Sequence, residues 1–233
     1  MKDQLKLANL NDLRIFNPNV SYRNTDNFNA RDKTIINSNV VVELAMAKAR
    51  NATDTPFQPK KLKQNFSTIK KFSTEDPEDF YPKLRDLLLN CGVVLVALPN
   101  LKNARLNGAT KKFKNGSVML LITDKNKKSD IFWFSLIHEL GHIYEEDFNA
   151  DHTDKENYEI KEKRADDFAS EFFIPKDKYD VFVSRNDFSA NSVKKFAHDL
   201  GINPSIVVGR LQNDEIIGRD YLNRLRTSYE IIV

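Results

Sequence analysis

Five consecutive residues, His138-Glu139-Leu140-Gly141-His142, carry the clearest chemical signal in the chain. Residues 131–144 have a helical pattern, so the two imidazoles project from one face, one turn from each other. This geometry suits two nitrogen ligands of a tetrahedral zinc ion, and it leaves Glu139 beside the metal as general base for a water. The alternative is a chance match on a surface helix. The chain has only four His, and two of them fall in this pattern, so we predict a Zn²⁺ site.

The stretch around this motif favours a buried helix. Residues 130–137 are apolar nearly all round, as a helix through a core must be. Ser129 or Asp130 offers a side-chain oxygen as N-cap. Gly141 inside a helix costs about 1 kcal/mol relative to Ala. We therefore expect that a neighbouring backbone or the metal site comes close to it.

A catalytic zinc takes three protein ligands, so a third ligand should come from a second helix. Residues 162–175 keep apolar side chains at helical spacing and end at a proline. Glu162 is the candidate ligand, and Asp166, one turn further on the same face, could accept a hydrogen bond from a ligating His. Glu162 could instead merely solvate the helix N-terminus. Glu159 and Glu156 are rival ligands one and two turns earlier.

Two motifs together resemble the ImmA/IrrE family of zinc metallopeptidases. They are F-W-F-x-L-x-H-E-L-G-H at 132–142 and E-x-x-A-D-x-F-A-x-x-F-x-I-P at 162–175. The resemblance extends over about 58–213 and is strongest to the carboxy-terminal portion of HigA-type antitoxin-like regulators. It implies a cytoplasmic bacterial or phage metalloprotease with a gluzincin-like site, which cleaves or controls a transcriptional repressor or antitoxin. Such regulators usually carry an amino-terminal helix-turn-helix, and we find no such pattern before residue 58.

The remaining patterns predict an α+β, zincin-like fold. A small antiparallel or mixed sheet should pack on the active-site helix, with further helices at 39–50, 59–72 and 77–90 flanking it. Residues 92–98 have the profile of a buried strand, and Asn115-Gly116 predicts a hairpin between 108–113 and 117–123. The strand at 117–123 is expected to line the substrate cleft. The expected domains are an N-terminal arm (1–38), a helical segment (39–91) and the protease core (92–233).

The acidic link 145–159 holds two further candidates. His152 or Tyr158 could stabilise the oxyanion of a tetrahedral intermediate. The alternative is that the link is a solvated loop, and the polar composition favours this alternative. His198 lies on a predicted helix and is expected to be a surface or core residue.

Residues 196–207 have a helix, Gly turn, helix pattern, with Asn203 as N-cap and Pro204 at the first position. Its spacing imitates a DNA-binding helix-turn-helix. However, the second helix is largely apolar, whereas a recognition helix needs a polar face for the groove. We therefore expect a helical pair packed on the core, and no specific nucleic-acid binding by this chain alone.

Composition restricts the class of protein further. The chain has 233 residues, 40% of them hydrophobic and 30% charged, as in an ordinary folded domain. The longest apolar stretch, 93–98, is too short to span a bilayer, and the start lacks the apolar core of a signal peptide. The single cysteine, Cys91, fits a reducing compartment. We expect a cytoplasmic protein with no membrane partner.

The net charge of +3 is small, but basic residues are concentrated between 102 and 128. This patch could meet nucleic acid or an acidic partner. It could instead consist of solvated turns and strand edges, where lysines also prevent aggregation, and we favour this second interpretation. Its members are Lys102, Arg105, Lys111, Lys112, Lys114, Lys125, Lys127 and Lys128.

Two functions follow as hypotheses. The first is a zinc-dependent endopeptidase in which His138, His142 and Glu162 hold the metal and Glu139 is the general base. The second is a catalytically silent zinc-binding module that binds a toxin or a repressor. The intact Glu139 favours the enzyme, because a structural zinc would not need it.

Overall fold

The Asn115-Gly116 turn joins the two central strands of the sheet. Asn115 accepts hydrogen bonds from the backbone N–H and the hydroxyl of Ser117, and Gly116 adopts a positive φ of 85°. The turn connects β3 (Leu106–Lys112) to β4 (Val118–Thr123) as an antiparallel pair. The Asn-Gly signal therefore placed this hairpin correctly, with strand ends within two residues of those predicted.

The computed structural model describes residues 21–24, 32–104, 106–148 and 155–232. Its four-stranded sheet has the order β1-β3-β4-β2. The strand β2 (Val93–Leu98) pairs parallel with β4, and β1 (Ser21–Asn24) pairs antiparallel with β3. The sheet is mixed, which is one of the two arrangements that the sequence predicted.

Both faces of the sheet are covered, which explains the uninterrupted apolar run in β4. On one face Leu120 and Ile122 join a large cluster of buried apolar residues from the other helices. On the other face Met119 and Leu121 pack with Val41 and other apolar residues of the first helix. The described residues thus form an α+β fold, with the first helix on one face of the sheet and the larger helical cluster on the other.

In chain order, the described residues form the helices α1 (Asp32–Ala49), α2 (Pro59–Gln64), α3 (Phe66–Phe72), α4 (Pro77–Asn90), α5 (Ser129–Tyr144), α6 (Lys155–Phe173), α7 (Lys176–Ser184), α8 (Ala190–Leu200) and α9 (Pro204–Asn213). None of these helices is both long enough and apolar enough to cross a membrane.

Three boundaries differ from the sequence-based expectations. The first helix begins at Asp32 rather than 39, and residues 21–24 form a strand, so part of the predicted arm belongs to regular structure. The predicted helix 59–72 is two helices, which a turn at Asn65 separates. The helix α6 begins at Lys155, so Tyr158 lies on a helix and not in a loop. Residues 1–20 and 25–31 of the predicted arm lie outside the described residues.

The predicted N-cap of α5 was wrong. The helix begins at Ser129 after Lys128, and no side chain caps it. Ser129 and Asp130 instead make tertiary contacts: the Ser129 hydroxyl bonds with that of Ser205, and Asp130 pairs with Arg226. These contacts tie the start of the buried helix to α9 and to the C-terminal segment.

The helical pair α8–α9 packs on the core, as predicted. Asn203 caps α9 by accepting a hydrogen bond from the backbone N–H of Ser205, and Gly201 takes the left-handed conformation between the helices (φ 66°). The apolar side chains of α9 are buried, whereas a helix that reads DNA would expose polar side chains. The buried residues are Ile206, Val207, Val208 and Leu211.

Candidate metal centre

The two histidines of the motif lie on a helix that runs through the core. The residues Trp133, Leu136, Ile137 and Leu140 of α5 are fully buried. His138 and His142 are 1% and 3% exposed, and their Nε2 atoms lie 3.1 Å apart. As the sequence predicted, the four-residue spacing places both imidazoles on one face of α5.

The helix α6 crosses α5 closely at Gly141. A Cβ at this position would lie 3.1 Å from the Phe168 ring and 3.4 Å from the Cα of Ala165. The absent side chain lets the two helices approach, as the sequence indicated. This approach brings the preceding turn of α6, which carries Glu162, to the two histidines.

Glu162 completes a three-residue cluster. Its two carboxylate oxygens lie 3.4 Å from the Nε2 of His138 and 3.2 Å from the Nε2 of His142. One ligand atom from each residue lies within 4.8 Å of the others, and this is the group of possible metal ligands found among the described residues. The rival residues Glu156 and Glu159 are exposed on α6 and are not in it.

The donor set fits a zinc ion. The Nδ1 of His138 lies 2.8 Å from Asp166 Oδ1, so the Nδ1–H donates to this carboxylate and the Nε2 of the neutral ring carries a lone pair. Two imidazole nitrogens and a carboxylate oxygen then converge on one point. Such a set repels itself unless a cation or protons lie between, and its N₂O chemistry suits zinc.

The electrostatics of the site keep Glu162 ionised. Burial alone would raise the pKa of this carboxyl, but in the metal-free site hydrogen bonds from the protonated rings of His138 and His142 and their charges outweigh the burial. The net effect lowers the pKa of Glu162 to about 2. The carboxylate is therefore ionised in the metal-free site, and a cation would take the place of the two imidazole protons once both rings are neutral.

Glu139 is fully buried beneath β3. A Cβ on Gly108 of β3 would lie 2.7 Å from the Glu139 Cγ and 2.9 Å from its Oε1. Only a glycine at position 108 lets the strand pass this close to the carboxylate. From the sequence, Gly108 was only the first residue of the predicted strand 108–113, although a glycine inside a strand is in general a signal of close backbone approach.

The two oxyanion candidates have different outcomes. Tyr158 lies on α6 one turn before Glu162 and is half-buried. Burial raises the pKa of its hydroxyl, and the charges of Glu162, Glu139 and Asp166 raise it further. The structure therefore places a protonated phenol beside the carboxylates of the site. His152 lies outside the described residues, and His198 lies on the exposed face of α8 with 90% of its side chain accessible.

The strand predicted to line the cleft was wrong. Strand β4 has neighbours on both sides, β3 and β2, so its backbone groups are not open to another chain. The strand over Glu139 is β3. The prediction failed because strand order in a sheet is not visible from chain order alone.

Comparison with known families agrees with this geometry. Residues 99–212 match the model of the IrrE N-terminal-like domain, a peptidase family. The match, over a segment that runs from β3 into α9, supports an ImmA/IrrE-family metallopeptidase domain. Neither the comparison with curated proteins nor the comparison with solved structures finds a match.

Proposed function

We propose that this chain is a zinc-dependent endopeptidase that cleaves a transcriptional repressor or an antitoxin-like regulator. The observation that carries the proposal is the convergence of His138, His142 and Glu162 next to the buried Glu139 carboxylate. Three ligands leave a fourth position of a tetrahedral zinc for water or substrate, which is the arrangement of a catalytic site. The class of substrate rests on the resemblance to ImmA/IrrE proteins and HigA-type regulators, and the reaction itself rests on the site.

Each residue of the site has a chemical task in this proposal. A bound zinc ion would lower the pKa of water and polarise the scissile carbonyl. Glu139 takes the proton of the attacking water and passes it to the leaving amine. Asp166 holds the ring of His138 in the tautomer that presents Nε2 to the metal.

Tyr158 is the proposed oxyanion stabiliser. Its pKa is raised, so the phenol keeps its proton near neutral pH and can donate a hydrogen bond to the negatively charged oxygen of the tetrahedral intermediate. It also lies on the same helix as the metal ligand Glu162, one turn away. Replacing Tyr158 with Phe should therefore lower kcat and leave zinc binding intact.

The decisive experiment replaces Glu139 with Gln. This variant should bind zinc with the stoichiometry of the parent and should lose cleavage, with a fall in kcat of about 10²–10⁴ for loss of a general base. The substrates are an unfolded protein and the repressors or antitoxins encoded beside the gene. Glu159→Gln, on the exposed face of α6, is the matched control and should cleave at the parental rate.

Two outcomes would contradict the proposal. If Glu139→Gln cleaves as fast as the parent, the general-base role is wrong. If the zinc-loaded parent binds a repressor or toxin tightly but cleaves no substrate, the domain is instead a silent zinc-binding module.

A further inference from the structure

The edge of the sheet beside the site is occupied by the chain itself. The strand β3 passes over Glu139 at Gly108. One side of β3 pairs with β4, and its outer side pairs with β1, the segment Ser21–Asn24. In this register Arg23 lies opposite Gly108 and Tyr22 opposite Ala109. The short strand β1 therefore lies at the level of the proposed general base.

A strand in this position has the form of a bound peptide. It is extended, antiparallel to β3 and added at the sheet edge, which is the β-augmentation mode by which enzymes and adaptor domains take up peptide segments. The opposite edge, that of β2, belongs to the strand farthest from β3 and β1 in the sheet order. An extended substrate that is to reach the metal centre would thus use the edge that β1 covers.

The pairing of β1 is built to be weaker than the rest of the sheet. It is four residues long, and its register shifts between Arg23 and Asn24, so that Asn107 of β3 has no Cα partner there. The Oδ1 of Asn107 is buried at this irregularity and has no hydrogen-bond partner among the described residues. By contrast, β3 and β4 pair residue for residue from Gly108 to Lys112. Short strands and bulges reduce the strength of edge pairing.

We propose that the outer edge of β3 is the docking edge for an extended segment of a protein substrate, and that residues 21–24 occupy it as an internal competitor. That the docked segment is a substrate rests on the proposed peptidase function. The edge itself does not, because peptide docking is a backbone interaction. A substrate segment then binds only when β1 leaves β3. The strand β1 therefore lowers peptidase activity until a partner or a substrate displaces it.

The test uses two neighbouring proline variants of the full-length chain, Tyr22→Pro and Arg23→Pro. In an antiparallel pair the N–H groups of successive residues point alternately toward and away from the partner strand. One of the two prolines therefore removes an N–H group that donates to β3. The other removes an N–H group that points away from β3, and an edge strand tolerates a proline at such a position. The second variant is a matched control for the first.

The probe is a fluorescent peptide with the sequence of residues 19–26, and the host carries Glu139→Gln so that no cleavage can consume it. We expect saturable binding to one of the two proline variants, at least tenfold tighter than to the other variant and to the parent. A peptide of the same composition in scrambled order should bind at least tenfold more weakly. Equal binding to all three proteins, or binding to none of them, would overturn the docking edge.

Amide hydrogen exchange of the unmodified chain tests the docking edge without any substitution in β1. An excess of the peptide should abolish the protection of amides 21–24 and leave that of β3 unchanged, because one strand replaces another. If the peptide binds and the protection of 21–24 stays, it binds elsewhere and the proposal is wrong. If the peptide binds as expected but the zinc-loaded chain cleaves no substrate, the docking edge is supported and the proposed peptidase function is contradicted.

Discussion

At the scale of single residues, Asp166 shows how a partly exposed group can control a buried ligand. Its side chain is 53% exposed, yet its Oδ1 accepts the only Nδ1–H that His138 has. A carboxylate in this place fixes the tautomer and raises the basicity of the ligand nitrogen. A partly exposed aspartate is in this way part of the candidate metal site.

We therefore expect Asp166→Asn to weaken zinc binding by about 10- to 100-fold, the usual effect of losing such a partner. The matched control is Asp167→Asn, because Asp167 is the next residue on α6 and pairs only with the exposed Lys163 in the contacts described. Competition with a chelator of known affinity measures both. An Asp166→Asn protein that holds zinc as tightly as Asp167→Asn would show that the hydrogen bond has no effect on the metal.

The close approach of Gly108 to Glu139 leads to a second prediction, which concerns the proposed general base. In Gly108→Ala the new Cβ would meet the Cγ of Glu139, so either the carboxylate or the strand must move. We expect kcat to fall at least tenfold while the zinc content stays at that of the parent, because the histidines are not displaced. The control is Gly218→Ala, where an added Cβ meets nothing within 4 Å. Full activity in Gly108→Ala would mean that Glu139 does not act from the position observed.

At the scale of elements, the helix α5, which carries the two histidines, is held at its start by the C-terminal segment. Arg226 donates to both carboxylate oxygens of Asp130, at 3.0 and 2.7 Å, and to the Oε1 of Gln212 at 2.9 Å. Asp130 and Arg226 are only 8% and 14% exposed. Helix α5 is thus anchored at one end by a buried ion pair and at the other by its crossing with α6.

Breaking this pair should cost far more than breaking a surface pair. Arg226→Met leaves the Asp130 carboxylate buried and without its cation, and we expect a loss of about 3–5 kcal/mol in the free energy of unfolding. The control Lys176→Met removes the exposed pair with Asp180 and should cost about 0–1 kcal/mol. Urea denaturation followed by circular dichroism measures both. Equal midpoints for the two variants would contradict the anchoring role.

The elements also show what a sequence can and cannot predict here. The β3–β4 hairpin, β2, α5 and the α8–α9 pair were predicted because local signals specify them: Asn115-Gly116, an apolar run, and the Asn203 cap. The turn of α6 around Tyr158 was missed because residues 155–161 are polar and show no helical apolar period. The position of β1 on β3 depends on pairing between segments more than 80 residues apart. No local pattern encodes such a pairing.

The same distinction applies to the site. His138 and His142 are four residues apart on one helix, so their proximity follows from helical geometry. Glu162 and Asp166 required a second helix, and the E-x-x-A-D spacing was sufficient to align them. Gly108, by contrast, lies 31 positions before Glu139 and reaches it only through the packing of β3 on α5.

At the scale of the whole molecule, proton competition should control metal loading. Both histidines must be neutral to bind zinc, so protons compete with the metal for their ring nitrogens. Glu162 has a pKa of about 2 in the metal-free site and stays ionised near neutral pH. Zinc affinity should therefore fall as the pH is lowered, because the imidazoles take up protons when the metal leaves.

Chelator competition at a series of pH values measures this slope. The variant Glu162→Gln should bind zinc more weakly at every pH but with the same slope, because the carboxyl does not titrate there. A slope that changes in Glu162→Gln would show that Glu162 does exchange a proton on metal release.

The fold should not depend on the metal. Two apolar clusters, one on each face of the sheet, contain the large buried side chains, among them Trp133, Phe80 and Leu120, and neither cluster includes a proposed ligand. A core of this extent stabilises a domain by burial of apolar surface, unlike a zinc finger, whose folding free energy comes from the metal. We expect His138→Ala to lose zinc and to keep the helical circular dichroism spectrum and a cooperative thermal transition.

The same measurement separates metal binding from folding. Zinc at about 1,000 times its Kd should add about 4 kcal/mol to the stability of the parent, because it binds the native state. It should leave the melting temperature of His138→Ala unchanged. A variant that is unfolded at 25 °C would show that the metal supports the core as a whole. A variant whose melting temperature still rises with zinc would place the ion at a site other than His138, His142 and Glu162.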